Sequence, residues 1–597
     1  MKAFLRSYYS LIAIGIIFAW SVYAINTHRS SLAPDDAIVL RIGHWQLEPS
    51  VREGLEAMAE DYRKLHPNVY IIQDAIPEMV YGQWTTTQLM GGTAPDLLEV
   101  GLGVLPRHLW LQYYNRYCYS MTPYANQPNP YNEGTDLEGI ALRSTIKDGM
   151  KWTYVEEMQE YVSIPLSQFG VRMFYNRELL KKLTGLDEAP ANYRAFIAAC
   201  ETIRSQTDPN GDPYTAIASS KYHLPMFENY MLDYLTYPAI RKADFNRDGL
   251  LGIDESYVAT RAGLLSLDFP PYRARFQLLR ELTDQFQPGF AGLTRDEAVF
   301  LFVQQNAVFM ATGTWDARSL QEQAGGQFTV GVMDFPRPGP EDPVYGPYVE
   351  GPLFEQPYVG FAFAITHTTP HFETALDFLR FMASKKQNEK LNRIIGWIPS
   401  VKGTEIDPLL KAFEPHLEGV VKAFNSDLGG DTWLKWMQLY SLFQVNQISF
   451  EELAAQYEPY YKEQGYKDFM EQQRDWRRGM HIDEESLAGI RAAALYSDGD
   501  ESDSNWVKYR SLTSLRQVTP EILRSRQMDL IENGPKNLGI GPYDYSPELL
   551  ERVRQQWQRL PDGASGPPPP EPEKTTGRET TAHETPPHAI ASGRTLS

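Results

Sequence analysis

Short apolar runs alternate with amphipathic stretches along much of the chain. The run Val39–Trp45 predicts a β-strand that leads into a loop, and Val51–Leu65 repeats its apolar positions at helical spacing. Pro67 stops that helix, and Val69–Ile72 predicts a second strand. The order strand, helix, strand is typical of an α/β fold with a parallel sheet.

The same alternation recurs further along the chain, until strand patterns almost vanish between about residues 409 and 560, where helical spacing dominates. The further predicted strands are Tyr161–Pro165, Val171–Tyr175, Phe328–Met333 and Gly360–Ile365, and the predicted helices are Ala191–Ser205 and Phe372–Ser384.

Composition and charge narrow the class of protein. A chain of 597 residues is long enough for two or more domains, and 42% hydrophobic with 22% charged residues is ordinary globular usage. The formal net charge of −20 repels phosphate backbones, so nucleic acid is not an expected partner. Cys118 and Cys200 are too few for a disulfide framework or a cysteine-rich zinc site.

Both ends of the chain differ from its body. Lys2 and Arg6 precede Ser7–His28, a stretch without Asp, Glu, Lys or Arg, so residues 1–33 predict a signal peptide, cut near Ala24, or an uncleaved membrane anchor. Either segment places the body of the protein in the periplasm or cell envelope. The tail 561–597 contains no Phe, Trp or Tyr and is predicted to be disordered.

Several catalytic motifs are missing from the sequence. It contains no phosphate-binding loop that ends in Lys-Ser or Lys-Thr, no His-Glu-x-x-His and no Gly-x-Ser-x-Gly. These absences weaken the case for an enzyme without excluding one.

A set of ordered motifs carries a resemblance to a known family. Gln88–Leu98 contains Gly92-Thr93-Ala94-Pro95-Asp96, which resembles the "aGtaPDv" signature of extracellular solute-binding proteins of family 1, the group that includes maltose-binding proteins of ABC importers. The segments that agree with it in order are His44-Trp45, Val171–Leu180, Phe302–Trp315, Phe361–Ile365, Ala375–Ser384 and Gly396–Pro399. Gln304-Gln305-Asn306 departs from the usual Gly-Lys, and the resemblance covers about residues 38–478.

The resemblance implies a two-lobed α/β clamshell with interleaved lobes, closing on its ligand by hinge motion. The implied N-terminal lobe is 38–165 with 337–384, and the C-terminal lobe is 166–336 with 385–478. Residues 479–560 form a mainly helical extension with no identified counterpart in the family.

The motif positions supply candidate ligand-binding residues. Trp45, Tyr175, Trp315 and Trp397 are expected to stack on the apolar faces of a sugar, and Asp96 to accept its hydroxyl groups. The alternative for each aromatic residue is core packing, and for Asp96 it is a cap on a helix that follows Pro95.

The resulting functional prediction is the substrate-binding component of an ABC importer. It binds a carbohydrate-like solute without chemistry and delivers it to permease subunits in the inner membrane. Two alternatives remain: an exported glycan-active enzyme that uses carboxylates from the acidic surplus, and an envelope protein whose C-terminal helices dock another partner.

One further segment predicts a structural calcium site. Residues 244–255 match the EF-hand pattern D-x-[DN]-x-[DN]-G-x₅-E. Side chains of Asp244, Asn246 and Asp248, the backbone carbonyl of Leu250 and two oxygens of Glu255 would surround Ca²⁺. A polar surface turn that matches by chance is the alternative.

Overall fold

The computed structural model of the chain describes residues 37–101, 105, 107–156, 158–496 and 504–534, with the single positions 20, 34, 551 and 555. The predicted signal peptide or anchor, the tail 561–597 and most of residues 535–560 therefore lie outside the described residues. No helix in the described part of the chain is long and apolar enough to cross a bilayer.

Two main sheets and one small two-stranded sheet organise the described residues. The strands are β1 (Ile38–His44), β2 (Val69–Ala75), β3 (Leu97–Val100), β4 (Tyr154–Val155), β5 (Glu160–Tyr161), β6 (Ile164–Phe169), β7 (Val171–Asn176), β8 (Thr215–Ala218), β9 (Ala307–Gly313), β10 (Val330–Met333), β11 (Tyr358–Ile365) and β12 (Ile398–Pro399). The first lobe is built on a six-stranded sheet in the order β12-β6-β11-β3-β1-β2, and the second lobe on a four-stranded sheet in the order β10-β7-β9-β8.

The first sheet begins as the sequence predicts. β1 is parallel to β2, with Leu40 opposite Ile71, and parallel to β3, with Ile42 opposite Leu97. Leu40 and Ile42 are completely buried, because helices cover the sheet. Those helices are Pro49–Leu65, Glu78–Gly91, Arg107–Tyr117, Thr122–Ala125, Leu142–Thr145, Phe372–Met382 and Lys385–Ile395, with 3₁₀ turns at Pro130–Asn132 and Lys151–Thr153.

The second lobe surrounds the smaller sheet with more helices. They are Arg177–Thr184, Tyr193–Arg204, Leu224–Phe227, Ile240–Ala243, Ile253–Arg261, Pro270–Thr283, Arg295–Val303 and Thr314–Ala324, with a π-helical turn at Glu228–Leu232 and 3₁₀ turns at Asp233–Ala239, Phe290–Gly292, Gly346–Tyr348 and Leu410–Phe413. Cys200 is buried in this lobe and Cys118 in the first, and both are free thiols.

The prediction of a parallel sheet is only partly correct, because both sheets are mixed. β11 pairs antiparallel with β3 and β6, and β7 pairs antiparallel with β9 and β10. The chain passes through the second lobe before it returns to the first sheet as β11. The direction of β11 therefore depends on this return between the lobes and not on a local strand-helix-strand unit.

The predicted lobe limits also differ from the observed packing. β6 belongs to the first sheet, so that lobe extends to Phe169, beyond the predicted limit at 165. Lys385–Ile395 packs against Pro49–Leu65, and β12 pairs with β6, so residues 385–399 belong with the first lobe and not with the second. The Leu391 and Ile395 side chains are buried against this lobe, which accounts for the placement.

The C-terminal helices share the core of the second lobe. They are Gly430–Gln444, Phe450–Tyr496, Ser504–Thr513 and Thr519–Asn533, with a π-helical turn at Ser514–Val518. Trp436 packs edge-to-face on Phe276, with ring centroids 6.2 Å apart, and Phe469 packs on Tyr257 at 5.4 Å. The predicted limit between residues 478 and 479 falls within one continuous helix.

The same helices also reach the first lobe. Lys508 forms an ion pair with Glu160, and the Gln159 amide donates to the Ser511 hydroxyl at 2.6 Å. At the other end of this region, the Gln527 amide donates to the Asp254 carboxylate of the second lobe at 2.5 Å. The C-terminal region therefore connects both lobes.

A buried ion network joins the chain segments that pass between the lobes. Arg172 of β7 is 1% exposed and donates to both oxygens of Glu355, at 3.2 and 2.8 Å. The same guanidinium donates to the backbone carbonyls of Ala412 and Glu414, at 2.7 and 2.9 Å. Arg337 donates to Glu355 as well, at 2.9 Å. One guanidinium thus ties together segments that are far apart in sequence.

Candidate ligand-binding cleft

A cavity with a volume of about 540 Å³ lies between the lobes. The ends of β1, β3, β6 and β11 bring most of its lining from the first lobe, while Tyr222, Arg295 and Trp315 come from the second. A cavity of this size suits a small organic molecule. The aromatic and charged residues of the lining are Trp45, Glu48, Glu78, Glu99, Trp110, Tyr114, Lys151, Trp152, Tyr154, Phe169, Tyr222, Arg295, Trp315, Tyr358, Phe361 and Trp397.

The structure brings three of the predicted ligand-binding residues to this cavity. Trp45, Trp315 and Trp397 all belong to its lining. Trp397 is only 5% exposed and packs edge-to-face on Phe169 and Phe361, with ring centroids 5.0 and 5.4 Å apart. Its ring therefore supports the cavity wall and offers little free surface.

Trp315 comes from the second lobe, and its side chain is partly buried. It lies in the first turn of Thr314–Ala324, directly after β9, and its ring folds back over Gly313. A Cβ atom at Gly313 would lie 2.3 Å from the ring, so only glycine allows this position. Phe169 of the first lobe lies across from it, with ring centroids 6.2 Å apart.

The two remaining candidates are not part of the lining. Tyr175 is 2% exposed within the second-lobe core, where its hydroxyl donates to Glu188. Asp96 precedes β3 and not a helix, so it is not a helix cap. It also lies outside the lining of the cavity. Its carboxylate accepts the backbone N–H of Arg41 at 2.7 Å and thereby links β3 to β1.

Several aromatic residues that the motifs did not single out line the same cavity. Trp152 packs edge-to-face on Tyr358, with ring centroids 4.7 Å apart, and Trp110 stacks on Tyr114 at 5.5 Å. Trp110 and Tyr114 lie one turn apart on the helix Arg107–Tyr117, whereas Trp152 lies in a 3₁₀ turn and Tyr358 in β11, so no single spacing in the chain relates the whole set. The high aromatic content of the chain was the only available signal.

Glu99 is an acidic side chain on the cavity wall. It is completely buried, which is unusual for a carboxyl group. Its oxygens accept the backbone N–H of Trp45 at 3.1 Å and the side-chain amide of Gln46 at 2.8 Å. Burial raises the pKa of Glu99 to about 8, and these two hydrogen bonds oppose the rise. The signal in the sequence is a charged residue inside the apolar strand Leu97–Val100.

Arg295 supplies a cation at the second-lobe side of the cavity. It forms an ion pair with Asp316, whose other oxygen accepts the Thr312 hydroxyl at 2.5 Å. The guanidinium lies 5.6 Å from the ring centroid of Tyr222. Asp316 already neutralises Arg295, and Glu48, Glu78 and Glu99 outnumber the other cation of the lining, Lys151, so the lining is rich in acidic and aromatic residues.

A comparison with known families identifies the family of the chain. The sequence profile of the bacterial extracellular solute-binding proteins matches residues 57–412, which is more than half of the chain. The chain belongs to this family. The predicted family resemblance is thereby confirmed.

Individual relatives of this solute-binding protein are distant. The multiple sugar-binding protein of Streptococcus mutans is 20% identical over 398 residues, which are 66% of this chain and 83% of that protein. Among solved structures, the sugar-binding protein MalE of Xanthomonas citri is 16% identical, with a TM-score of 0.49 over 74% of this chain and 99% of that one. Apo RafE of Streptococcus pneumoniae is also 16% identical, with a TM-score of 0.48 over 72% and 99%.

The predicted calcium loop of this solute-binding protein lies between two helices, Ile240–Ala243 and Ile253–Arg261. Asp244 and Glu255 are 1% and 2% exposed, and Gly249 has the positive φ, 81°, that a sharp turn requires. Leu251 is buried in the second-lobe core. The Asp244 carboxylate accepts hydrogen bonds from the backbone N–H groups of Asp248 and Gly249, at 3.1 and 3.0 Å.

Glu255 closes the same loop from the following helix. Its oxygens accept the backbone N–H groups of Phe245, Asn246 and Gly252 at 2.9, 3.0 and 2.9 Å. Burial raises the pKa of Glu255 to about 7, and Asp254 and Asp244 add to this effect. The Asp244 carboxylate is therefore near enough to Glu255 to raise its pKa.

A second group of potential metal ligands lies within the ion network between the lobes. In the described part of the chain, Asp334, Glu355 and His416 place one ligand atom each within 4.8 Å of one another. Arg172 and Arg337 already form ion pairs with these carboxylates. Two guanidinium groups would repel a divalent cation, so this cluster is better explained as a structural network.

Proposed function

We propose that this protein binds a carbohydrate in the cavity between its lobes. The observation that carries the proposal is the composition of that cavity, where tryptophan rings from both lobes accompany acidic side chains. Aromatic rings cover the C–H faces of a sugar, and carboxylates accept hydrogen bonds from its hydroxyl groups. A cavity of about 540 Å³ has room for a small saccharide.

We further propose that binding closes the lobes and that the closed protein delivers the sugar to an ABC permease. The lobes are connected directly where β6 leads into β7 through Gly170, so a small backbone rotation there would change the width of the cleft. Membership of the extracellular solute-binding family supports capture outside the cytoplasm. The N-terminal segment would then be a signal peptide or an anchor, which N-terminal sequencing of protein from the cell envelope distinguishes.

A thermal-shift screen tests sugar binding most directly. The purified protein would be tested with neutral saccharides, namely raffinose, stachyose, maltotriose and cellotriose, and hits would be titrated by calorimetry. We expect saturable binding of one saccharide per protein and recovery of the saccharide intact. Hydrolysis or transfer of the saccharide would instead favour the alternative of a glycan-active enzyme.

We propose, separately, that residues 244–255 bind Ca²⁺ in a structural role. The support is the full twelve-residue match together with the helix-loop-helix arrangement and the buried carboxyl groups of Asp244 and Glu255. Calcium would clamp this part of the second lobe, and its binding free energy would add to the stability of that lobe.

Removal of calcium is therefore expected to lower the melting temperature. Ligand at 100 times its Kd stabilises a protein by about 2.7 kcal/mol, and each kcal/mol shifts Tm by about 2–4 °C in a domain of 150–250 residues. Millimolar CaCl₂ should raise the Tm of the chelator-treated protein, and Glu255→Gln should abolish the rise. Glu201→Gln, a change at an exposed acid of the same lobe, should retain it. An unchanged wild-type Tm would eliminate the site.

A further inference from the structure

The two strands β4 and β5 form part of the cavity wall but belong to neither main sheet. In the part of the chain that the structure describes, they pair only with each other, with Val155 opposite Glu160. Tyr154 and Val155 of β4 line the cavity, and so does Trp152 just before β4. A two-stranded ribbon is marginally stable by itself, so contacts from outside must hold the β4–β5 pair in place.

Strand β5 carries contacts that lead away from the cavity. One oxygen of the Glu160 carboxylate accepts hydrogen bonds from the hydroxyl groups of Ser120, at 2.5 Å, and Thr122, both of the first lobe. The other oxygen accepts the ammonium group of Lys508. The side chains of Glu160 and Lys508 are 18% and 33% exposed, so water and salt screen this ion pair less than a fully exposed one. The first lobe and the C-terminal region therefore hold the β4–β5 pair together.

A second contact lies one helical turn beyond Lys508. Ser511 shares a face of the helix Ser504–Thr513 with Lys508, because residues three positions apart are neighbours on a helix. Its hydroxyl accepts the side-chain amide of Gln159 at 2.6 Å. The helix thus contacts two successive residues, Gln159 and Glu160, at the start of β5.

The other end of this helical segment is anchored in the second lobe. The helical elements within residues 504–533 follow one another without a break. Leu530 is 2% exposed in the second-lobe core, and the Gln527 amide donates to Asp254 at 2.5 Å. At 1.5 Å per residue, Lys508 and Gln527 lie about 28 Å apart along the segment. It therefore reaches from the core of one lobe to the cavity wall of the other.

We propose that residues 504–533 are a strap that positions the β4–β5 pair for sugar binding, with Lys508 and Ser511 as positioning residues outside the cavity. Val155 of the cavity wall lies directly opposite Glu160, so a displacement of Glu160 carries the cavity side of the pair with it. The C-terminal helices thus act on the protein's own cleft. The inference rests on the proposed sugar-binding function.

Loss of the strap contact should weaken sugar binding. Without Lys508 the β4–β5 pair keeps its first-lobe contacts but samples more conformations, and ordering it again on binding costs affinity. Lys508→Met removes the ammonium group and keeps an unbranched side chain. We expect it to weaken saccharide binding by about three- to tenfold, since the ion pair is partly buried and lies outside the cavity. Lys508→Arg keeps the charge and should recover most of the affinity.

Calorimetry measures these affinities with the saccharide that binds in the panel of raffinose, stachyose, maltotriose and cellotriose. Lys467→Met is the matched control, because the exposed ammonium group of Lys467 donates to Gln464 of its own helix, at 3.1 Å, and this variant should bind as the wild type does. Unchanged affinity in folded Lys508→Met protein, or no recovery in Lys508→Arg, would overturn the proposal. If Lys508→Met does not fold, Ser511→Ala, which loses only a hydroxyl group, tests the same contact: weaker binding supports the strap and unchanged binding overturns it.

Hydrogen exchange of the ligand-free protein tests the strap without a sugar. We expect faster exchange in peptides that cover β4 and β5 of Lys508→Met, with exchange in β1 of the main sheet unchanged. Unchanged exchange in β4 and β5 would overturn the strap even if the wild type binds a saccharide. Failure of every saccharide to bind the wild type would instead contradict the proposed function, and the exchange result would still decide whether the strap holds the pair.

Discussion

Replacing Arg172 with Ala is expected to lower the free energy of unfolding by about 3–5 kcal/mol. The substitution would leave Glu355, which is 4% exposed at its side chain, with one cationic partner fewer. It would also remove the donors of two backbone carbonyls, those of Ala412 and Glu414. This network joins the segments between the lobes. Chemical denaturation should therefore show the lost stability as a large fall in the denaturant concentration at the midpoint of unfolding.

An exposed ion pair provides the matched control for this prediction. Arg393 pairs with Glu389 one helical turn away, and its side chain is 66% exposed. Arg393→Ala should change the unfolding free energy by less than about 1 kcal/mol, since water screens such pairs. Similar losses in the two variants would contradict the structural role of the buried network.

Replacing Trp315 with Ala is expected to weaken saccharide binding by about 1–3 kcal/mol, or roughly 5- to 150-fold. The ring borders the cavity from the second lobe, opposite Phe169, and its loss removes both contact area and orientation for the sugar. Calorimetry with the folded variant measures the effect.

Two further variants separate ligand contact from general effects of a lost tryptophan. Trp433→Ala, on the helix Gly430–Gln444 and 48% exposed, should leave affinity unchanged. Gly313→Ala keeps the Trp315 ring but forces it to move, since the new Cβ would lie 2.3 Å from it, so affinity should fall here also. Unchanged affinity in folded Trp315→Ala protein would exclude stacking at this residue.

The local elements of the fold could be predicted from the sequence because they depend on neighbouring residues. The helix predicted at Val51–Leu65 is observed at Pro49–Leu65, and the strand predicted at Gly360–Ile365 is observed at Tyr358–Ile365. Strand direction could not be predicted in the same way. β11 runs antiparallel to β3 because the chain reaches it from the other lobe, which no local pattern records.

Cavity residues could be predicted from the sequence where they directly follow a strand. Trp45 follows β1 and Trp315 follows β9, and both reach the cavity. Tyr175 lies within a strand, and its side chain points into the second-lobe core. Glu99 was missed because its importance comes from burial beside Trp45 and Gln46, a contact that exists only after β1 and β3 pair.

A saccharide bound in the cavity should contact both lobes. Hydrogen exchange measured by mass spectrometry, with and without the saccharide that binds in the screen, tests it most directly. We expect slower exchange in cavity segments of the first lobe, 97–101 and 358–362, and of the second lobe, 219–223 and 312–316. Protection confined to one lobe, or to surfaces outside the cavity, would contradict binding between the lobes.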